Sequence, residues 1–400
     1  MTPQLARDAA ALTPMTGAVV AAPFVVTAAL LTPKDVVAIE AEWAELSAQA
    51  VEANSFYSPA LLIPALEAFT GDDVRVAVVR DARGRLIALA PVAPSFGYSR
   101  LPVGYLATWM HPHCFFAAPL IRRGCEKEAL AALFDLADEN GAFFRLRHLD
   151  AGGPIYAAAR AVAVETGRLA ADSNRYQRAL LKGGFVTEAY LHDALRGKKR
   201  KELRRLRNRL EEEGAVAFEG LDDRAMLGRW TLDFLALESA GWKGRKGTAL
   251  GADPASAKFF ADALLSSFDR GALRFYRLTH AGKPIAMIVN FIESGAGYSF
   301  KIAYDEAYAR YSPGVMIEIE MMKALEAEPS LSHIDSCAQK DHPMINSLWR
   351  ERRTIAALNV SRRDAPSKFL FRLLTELEKA GGRFRGRAAA TAKEENNGDF

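Results

Sequence analysis

Cysteine is scarce in this chain of 400 residues: Cys114, Cys125 and Cys337 are the three, widely separated and without a C-x-x-C pair. An odd, dispersed set excludes a disulfide framework and a clustered zinc site, and fits a reducing compartment. Long apolar runs are also lacking, and nothing approaches the ~20 residues needed to span a bilayer. The apolar stretch Gly17 to Leu31 is interrupted by Pro23 and preceded by Asp8, so it reads as a first strand, Phe24 to Leu30, and not as an export signal. A charge excess is missing too. Lysine and arginine number 52 against 48 acidic residues, a net charge of +4 that gives no reason to expect a nucleic-acid partner. The expectation is a cytoplasmic protein with no transmembrane segment and no metal.

What is present is an ordinary globular composition, half apolar and a quarter charged, long enough for two domains at roughly 100 to 200 residues each. The first half reads as helix Pro33 to Ala50, a helical segment from Ser58-Pro59, strands Val74 to Val79 and Leu86 to Pro91 around the turn at Asp81 to Gly84, helix Glu126 to Glu139, strand Phe143 to Leu149 and helix Pro154 to Thr166. The second half repeats that order. Helices Asp222 to Ser239 and Pro254 to Phe268 precede three strands, Leu273 to Leu278, Ile285 to Phe291 and Tyr298 to Tyr304. Helix Pro313 to Glu326, strand Leu331 to Ser336, helix Met344 to Arg350, strand Thr354 to Val360 and helix Ser367 to Lys379 follow. The shared order suggests a duplicated α/β (α+β) fold, each copy a mixed, mostly antiparallel sheet flanked by helices. The expected division is residues 1–190, residues 191–380 and a disordered tail at 381–400.

Two segments invite a functional reading. Lys198 to Arg209, KKRKELRRLRNR, sets Leu203, Leu206 and Leu210 on one face and arginines outward, ending at Gly214. It is either a solvated linker helix or one wall of an anion groove. The second segment joins strand Tyr298 to Tyr304 to the next helix through Arg310-Tyr311-Ser312-Pro313-Gly314. Ser312 suits an N-cap and Pro313 the first helical position. The amides of Gly314, Val315 and Met316 would then face an anion, favoured by the helix dipole. In the first half the matching helix opens with Glu126 and Glu128, which would repel a phosphate.

These motifs resemble the GNAT acyltransferase superfamily, and more narrowly the CelD-like acetyltransferases of bacterial exopolysaccharide and cellulose synthesis, relatives of the FemAB peptidyltransferases. The resemblance is carried by K-x-R-x-x-L-R-R from Lys198, G-W-K-G-R-x-G-T-A from Gly241, Y-D-E-x-Y-x-x-x-S-P-G from Tyr304, I-D-S-C-A from Ile334 and H-P-M-I-x-x-L-W from His342, with Asn54-Ser-Phe-Tyr-Ser-Pro59 in the first half. It implies two GNAT folds in tandem, acetyl-CoA as acyl donor in the second, and a small-molecule or nucleotide- or lipid-linked sugar as acceptor. The chain departs from the superfamily's Q/R-x-x-G-x-G/A loop, since Gly314 is its only glycine there.

Acyl transfer by direct attack of an amine needs a base, a polarised carbonyl and an acid for the leaving thiolate. Asp335 at a strand end is the leading base, with His342 second. Tyr304 is a candidate acid, with Tyr308 and Ser347 as substitutes. Arg310 to Met316 are the donor-binding residues. Lys301, Trp242, Lys243, Arg245 and Arg204 are the candidates for holding phosphate, carboxylate or sugar. Cys337 reads as a buried structural thiol. The expected activity is N-acetylation of an amino sugar or sugar-linked amine in cell-surface polysaccharide synthesis. The alternatives are a FemAB-type aminoacyl transfer and a non-catalytic module that binds an anionic nucleotide.

Overall fold

Turn chemistry sets the first hairpin: Asp81 Oδ1 accepts the amides of Arg83 and Arg85, both at 3.0 Å, and Gly84 takes φ +77°, a left-handed conformation that glycine adopts without strain. The structure, a computed structural model, describes residues 26–69, 71, 73–98, 101–328 and 330–378. The expected tail at 381–400 and the start of the first strand lie outside them.

The first half runs β1 (Thr27–Leu31), α1 (Pro33–Val37), α2 (Glu40–Ala48), α3 (Pro59–Phe69), β2 (Arg75–Arg80), β3 (Leu86–Tyr98), β4 (Leu101–Thr108), β5 (Leu120–Ile121), α4 (Glu126–Asp138), β6 (Phe143–Asp150), α5 (Pro154–Glu165) and β7 (Ala170–Lys182). Then come α6 (Thr187–Ala194), the basic α7 (Gly197–Glu213), β8 (Val216–Gly220), α8 (Leu227–Ala240), α9 (Trp242–Arg245), α10 (Pro254–Asp269), β9 (Leu273–His280), β10 (Lys283–Glu293), β11 (Ala296–Tyr304), α11 (Pro313–Leu325), β12 (His333–Asp335), α12 (Pro343–Leu348) and β13 (Glu351–Ser361). A last helix covers 365–378. The helix expected over Pro33 to Ala50 is two helices, α1 and α2. Among the described residues no helix is long and apolar enough to cross a membrane.

Thirteen strands among the described residues join one sheet in the order β1-β2-β3-β4-β6-β13-β7-β12-β11-β10-β9-β8, with β5 beside β3. Inward from either end the pattern is the same. Four strands lead to β4 or β11, a parallel partner follows (β6 or β12), and an antiparallel strand closes the set. The duplication is therefore present, with one change: the closing strands are exchanged. β13 completes the first half against β6, and β7 completes the second against β12. A linear cut between residues 190 and 191 thus leaves each sheet without its last strand, and the exchanged pair also bond to each other from Glu351–Leu180 to Val360–Ala170.

A buried ionic cluster sits at this exchange. Asp335, with no solvent exposure, accepts on Oδ2 from Arg178 Nη2 (2.6 Å) and Arg353 Nη1 (2.9 Å) and on Oδ1 from the Cys337 amide (2.9 Å). Arg353 also reaches Asp150 (2.9 Å) and Glu52 (3.0 Å). Burial alone would raise the Asp335 pKa, but the two guanidiniums hold it below the usual carboxylate range. Glu52, with a smaller share of positive charge, is pushed by burial up to about 7 against the pull of Arg353. Removing one partner of a buried pair strands the other charge, at about 3–5 kcal/mol. Asp335→Ala is accordingly expected to lower stability by that amount, read as a lower midpoint in equilibrium denaturant unfolding. An unchanged midpoint would refute this role.

Candidate active site

The site begins where β11 leaves its neighbour. β11 and β12 pair only over Ala296–Tyr298 and His333–Asp335. Beyond Ser299 the ladder with β10 carries an extra residue, Phe300, because Ser299 faces Asn290 while Lys301 faces Val289. A bulge bends its strand, so β11 diverges from the chain that leaves β12 at Ser336, and a wedge opens between them.

α11 starts at the far end of β11. Ser312 occupies the N-cap, but in a left-handed conformation (φ 56°, ψ 51°), and its hydroxyl caps nothing. Its carbonyl accepts instead from the amides of Val315 (3.0 Å) and Met316 (3.1 Å). The expectation of three outward amides is corrected: that of Gly314 alone lacks an internal partner among the described residues. Arg310 and Tyr311 also depart from the expectation. The guanidinium lies 3.2 Å from Glu213 of α7 and the Tyr311 hydroxyl donates to the same carboxylate, so both are held against the basic helix's acidic end. A Cβ on Gly314 would lie 3.6 Å from Tyr304 Cδ1 and Met344 Sδ, which places Tyr304 as a wall of the helix end beside Pro313 and Gly314.

Lys301 stands on the diverging part of β11, its Nζ 5.8 Å and 5.7 Å from the ring centres of Phe115 and Phe300. Burial, followed by the charge of Lys243, lowers its pKa to about 8. Lys243 is itself committed, to Glu238 Oε1 (2.7 Å) and the Ile302 carbonyl (3.1 Å). The other Glu238 oxygen accepts the Leu250 amide at 2.8 Å, so this buried acid clamps the loop after α8 onto β11. His342 has its pKa lowered by burial, with Lys243 contributing. Its Nδ1 caps α12 by accepting from Ile345 N at 3.5 Å.

Next to this wedge, between the halves, lies a cavity of about 590 Å³ lined by residues of 110–115, His148, Asn174 to Tyr176 and Arg178 of β7, and Cys337 to Lys340, a size that suits a small-molecule acceptor. Bulges flank β13 here. β6 carries an extra residue opposite Ala356–Leu358 and β7 another opposite Ile355–Ala357. His148 and Asn174 take φ +43° and +50°, and Cys337 on the facing wall +53°. Left-handed conformations are uncommon outside glycine and concentrate at functional sites. His148 Nδ1 has no hydrogen-bond partner among the described residues. Burial, with the Arg178 charge beside it, lowers that ring to about 4, so it is neutral near pH 7.

The remaining candidates fall elsewhere. Asp335, the expected base, has both oxygens engaged inside the ionic cluster and does not line the cavity, which that cluster meets through Arg178. His342 has its Nδ1 lone pair in the cap, which leaves Nε2–H as a donor. Trp242 lies under Lys246 at 5.1 Å and Arg245 pairs with Glu306 at 2.8 Å on the exposed side of that loop. Arg204 and Met316 meet in a separate groove of about 210 Å³ between α6, α7 and α11, where Arg204 makes no ion pair among the described residues. Burial pushes the Cys337 thiol well above its ordinary value, consistent with a structural residue. The sequence reading missed the wall built from His148 and β7. Its one signal was the Asn54 to Pro59 motif, which docks on β11: Phe56 meets Tyr298 edge-on at 5.1 Å and the Tyr298 hydroxyl donates to Ala53 O at 2.7 Å. Among the described residues no group of three His, Cys, Asp or Glu could hold a metal.

Residues 197–342 match the acetyltransferase (GNAT) domain family. Among solved structures, a conserved protein of unknown function from Bacteroides thetaiotaomicron is 15% identical with a TM-score of 0.54, over 85% of this chain and 99% of that one. FemX is 11% identical with a TM-score of 0.52, over 79% of this chain and 95% of its own. The C-terminal domain of a putative lysylphosphatidylglycerol synthetase from Agrobacterium fabrum is 14% identical with a TM-score of 0.50, over 84% and 96%. At such identities the likeness is one of fold. No curated protein matches the chain in sequence.

The wedge electrostatics give a direct measurement. In the 13C-dimethylated protein the Lys301 signal is expected to titrate near pH 8, and the midpoint should rise in Lys243→Met because a like charge is removed. A midpoint in the ordinary lysine range would show that Lys301 is solvated.

Proposed function

We propose that this chain, whose residues 197–342 match the acetyltransferase (GNAT) domain family and whose fold is like that of FemX, is an acyltransferase that transfers an acetyl group from acetyl-CoA to an amine held between the halves. The acceptor is an amino sugar or sugar-linked precursor in exopolysaccharide or other cell-surface polysaccharide synthesis, and the reaction is cytoplasmic. The donor's thioester lies in the wedge beside β11. Its phosphates face the Gly314 amide and the α11 dipole, with Arg204 as a further cation. The amine approaches from the cavity lined by His148, Asn174 and Tyr176.

The observation that carries this reading is Lys301, a desolvated lysine in the wedge with its pKa lowered to about 8. A free thiol titrates near ~8.5, so the Lys301 ammonium is an acid matched to a thiolate leaving group. The amine nitrogen bonds to the carbonyl carbon and the C–S bond breaks. The sulfur takes a proton from Lys301, and the proton shed by the nitrogen returns to Lys301 through water. No residue need serve as a covalent nucleophile, in keeping with the inert surroundings of Cys337.

A second reading, transfer of an aminoacyl group from an RNA carrier, rests on α7, where Lys198, Lys199, Lys201 and Arg209 make no ion pair among the described residues. Thiol release from acetyl-CoA across a panel of free and nucleotide-linked amino sugars separates the two. Absence of both turnover and acetyl-CoA binding, alongside activity that ribonuclease abolishes, would replace the first reading by the second.

In the acetyl-CoA reaction, kcat/KM should fall on the alkaline side of about pH 8 as Lys301 loses its proton. Lys301→Met should lower kcat by about 10²–10³-fold with little change in acetyl-CoA affinity, and Lys301→Arg should move the alkaline limb upward. Gly314→Ala, whose Cβ meets only ordinary contacts, should bind acetyl-CoA, and Gly314→Glu should not. Retained affinity in Gly314→Glu would displace the donor from this helix end.

A further inference from the structure

The cavity between the halves is set with charge of one sign. Arg175, Arg178 and Lys340 line it, and among the described residues no Asp or Glu does. In a chain whose basic and acidic residues number 52 and 48, that is a local excess. Its two imidazoles add no charge near pH 7, because burial lowers His111 to about 3 and His148 to about 4. Arg178 is neutralised by Asp335 at 2.6 Å, but the other two cations are less well matched. Asp172, which lies 3.3 Å from Arg175, is outside the lining and is held more closely by Arg160 at 2.8 Å and by the Tyr156 hydroxyl at 2.5 Å. Lys340 lies 3.9 Å from its chain neighbour Asp341, with 70% of the lysine side chain exposed, a contact that water largely screens. A neutral donor stands with them. The His113 amide donates to His111 Nδ1 at 3.3 Å, so that ring carries its proton on Nε2, which has no partner among the described residues although His111 is only 5% exposed.

We propose that the acceptor taken into this cavity carries a phosphate ester as well as its amine, and that Arg175 and Lys340 bind the phosphate. The inference rests on the cavity being the acceptor site, and it narrows the acceptors proposed there to the phosphate-bearing ones. Like charges disfavour the alternative. A free amino sugar enters as an ammonium ion or must first give up a proton. It would meet Arg175, Lys340 and, behind Phe115, Lys301, with no lining carboxylate to offset them. A phosphate ester reverses the sign of that interaction, and guanidinium and ammonium groups are the side chains that bind it. It also orients the acceptor. The two cations are exposed, so they hold the phosphate at the mouth and leave the amine pointing inward, toward Phe115 and Lys301. A sugar phosphate, a nucleotide-linked sugar and a lipid-linked sugar all share this group.

The test is calorimetric titration of the full chain, without acetyl-CoA, by glucosamine, glucosamine 1-phosphate, UDP-glucosamine and a polyprenyl diphosphate-linked glucosamine in detergent. At least one phosphate-bearing compound is expected to bind about 10-fold or more tightly than glucosamine, the effect of one hydrogen bond between charged groups. The tightest of them identifies the source of the phosphate. Arg175→Glu and Lys340→Glu should each weaken that binding about 10-fold and strengthen binding of the glucosamine ammonium ion, a pair of opposite shifts that misfolding cannot produce. The proposal is overturned if glucosamine binds as tightly as every phosphate-bearing compound, if none of the four binds, or if both charge reversals leave the preference unchanged. Because the readout is binding, the acetyl-transfer reading stands or falls separately: selective binding with no acetylation of any compound would reject that reading and uphold this one.

Discussion

One carboxylate, Asp335, shared by Arg178 and Arg353, holds the rest of this structure in place. It stands at the end of β12, and its two partners come from the strands that the halves exchange, β7 and β13. Charges taken out of water are tolerated only when their partners are fixed by geometry, so the cluster selects one register for three strands at once. The selection reaches further. Arg178 also donates to the Phe115 carbonyl on the cavity wall at 2.9 Å, and the Arg353 guanidinium lies over the Phe116 ring at 4.2 Å. The Asp335 contact to the Cys337 amide turns the chain away from β11. The group that closes the sheet therefore also opens the wedge.

The chemistry follows from that opening. Lys301 is desolvated because β11 bulges at Phe300 and presents the lysine to Phe115 of the opposite half. Its neighbour Lys243 is neutralised by Glu238 and thus adds a modest further push without becoming a second free cation. The α11 end frees fewer amides than its sequence suggests, because Ser312 folds its carbonyl under the helix and engages two of them. The first half's counterpart, α4, has Glu126 and Glu128 in its first turn, whereas α11 has no acid there. That asymmetry supports placing the proposed donor site in the second copy of the duplicated fold.

Much of this is legible in the amino-acid sequence. Hairpin turns, the Ser312-Pro313 helix start and the repeated element order are local signals, and each describes a real element. β7 was not legible. Its AADSNRYQRALLK has no apolar alternation, because Ser173 is buried against Asn359 while Asn174 and Arg178 are turned to the cavity and the ionic cluster. Asp335 was legible as a polar residue at a strand end, but its partners lie 157 and 18 residues away, and without them a structural charge looks like a base. Lys301 was visible as a cation, and only its surroundings turn it from an anion holder into a weak acid. The strand exchange leaves no local trace, since it changes which strands pair and not where strands occur.

That exchange has a consequence for how the molecule comes into being. A ribosome delivers β6 some two hundred residues before β13, the strand that must lie beside it, at Phe143 opposite Ser361. During synthesis the first half waits with an unpaired edge, a hazard for wrong strand addition. The second half finds its closing strand, β7, already made, but the first cannot finish its sheet as it emerges. The nascent chain commits to its native state only when nearly all of it is outside the exit tunnel, which makes the protein a late, all-at-once folder and binds the fate of each copy of the duplicated fold to the other.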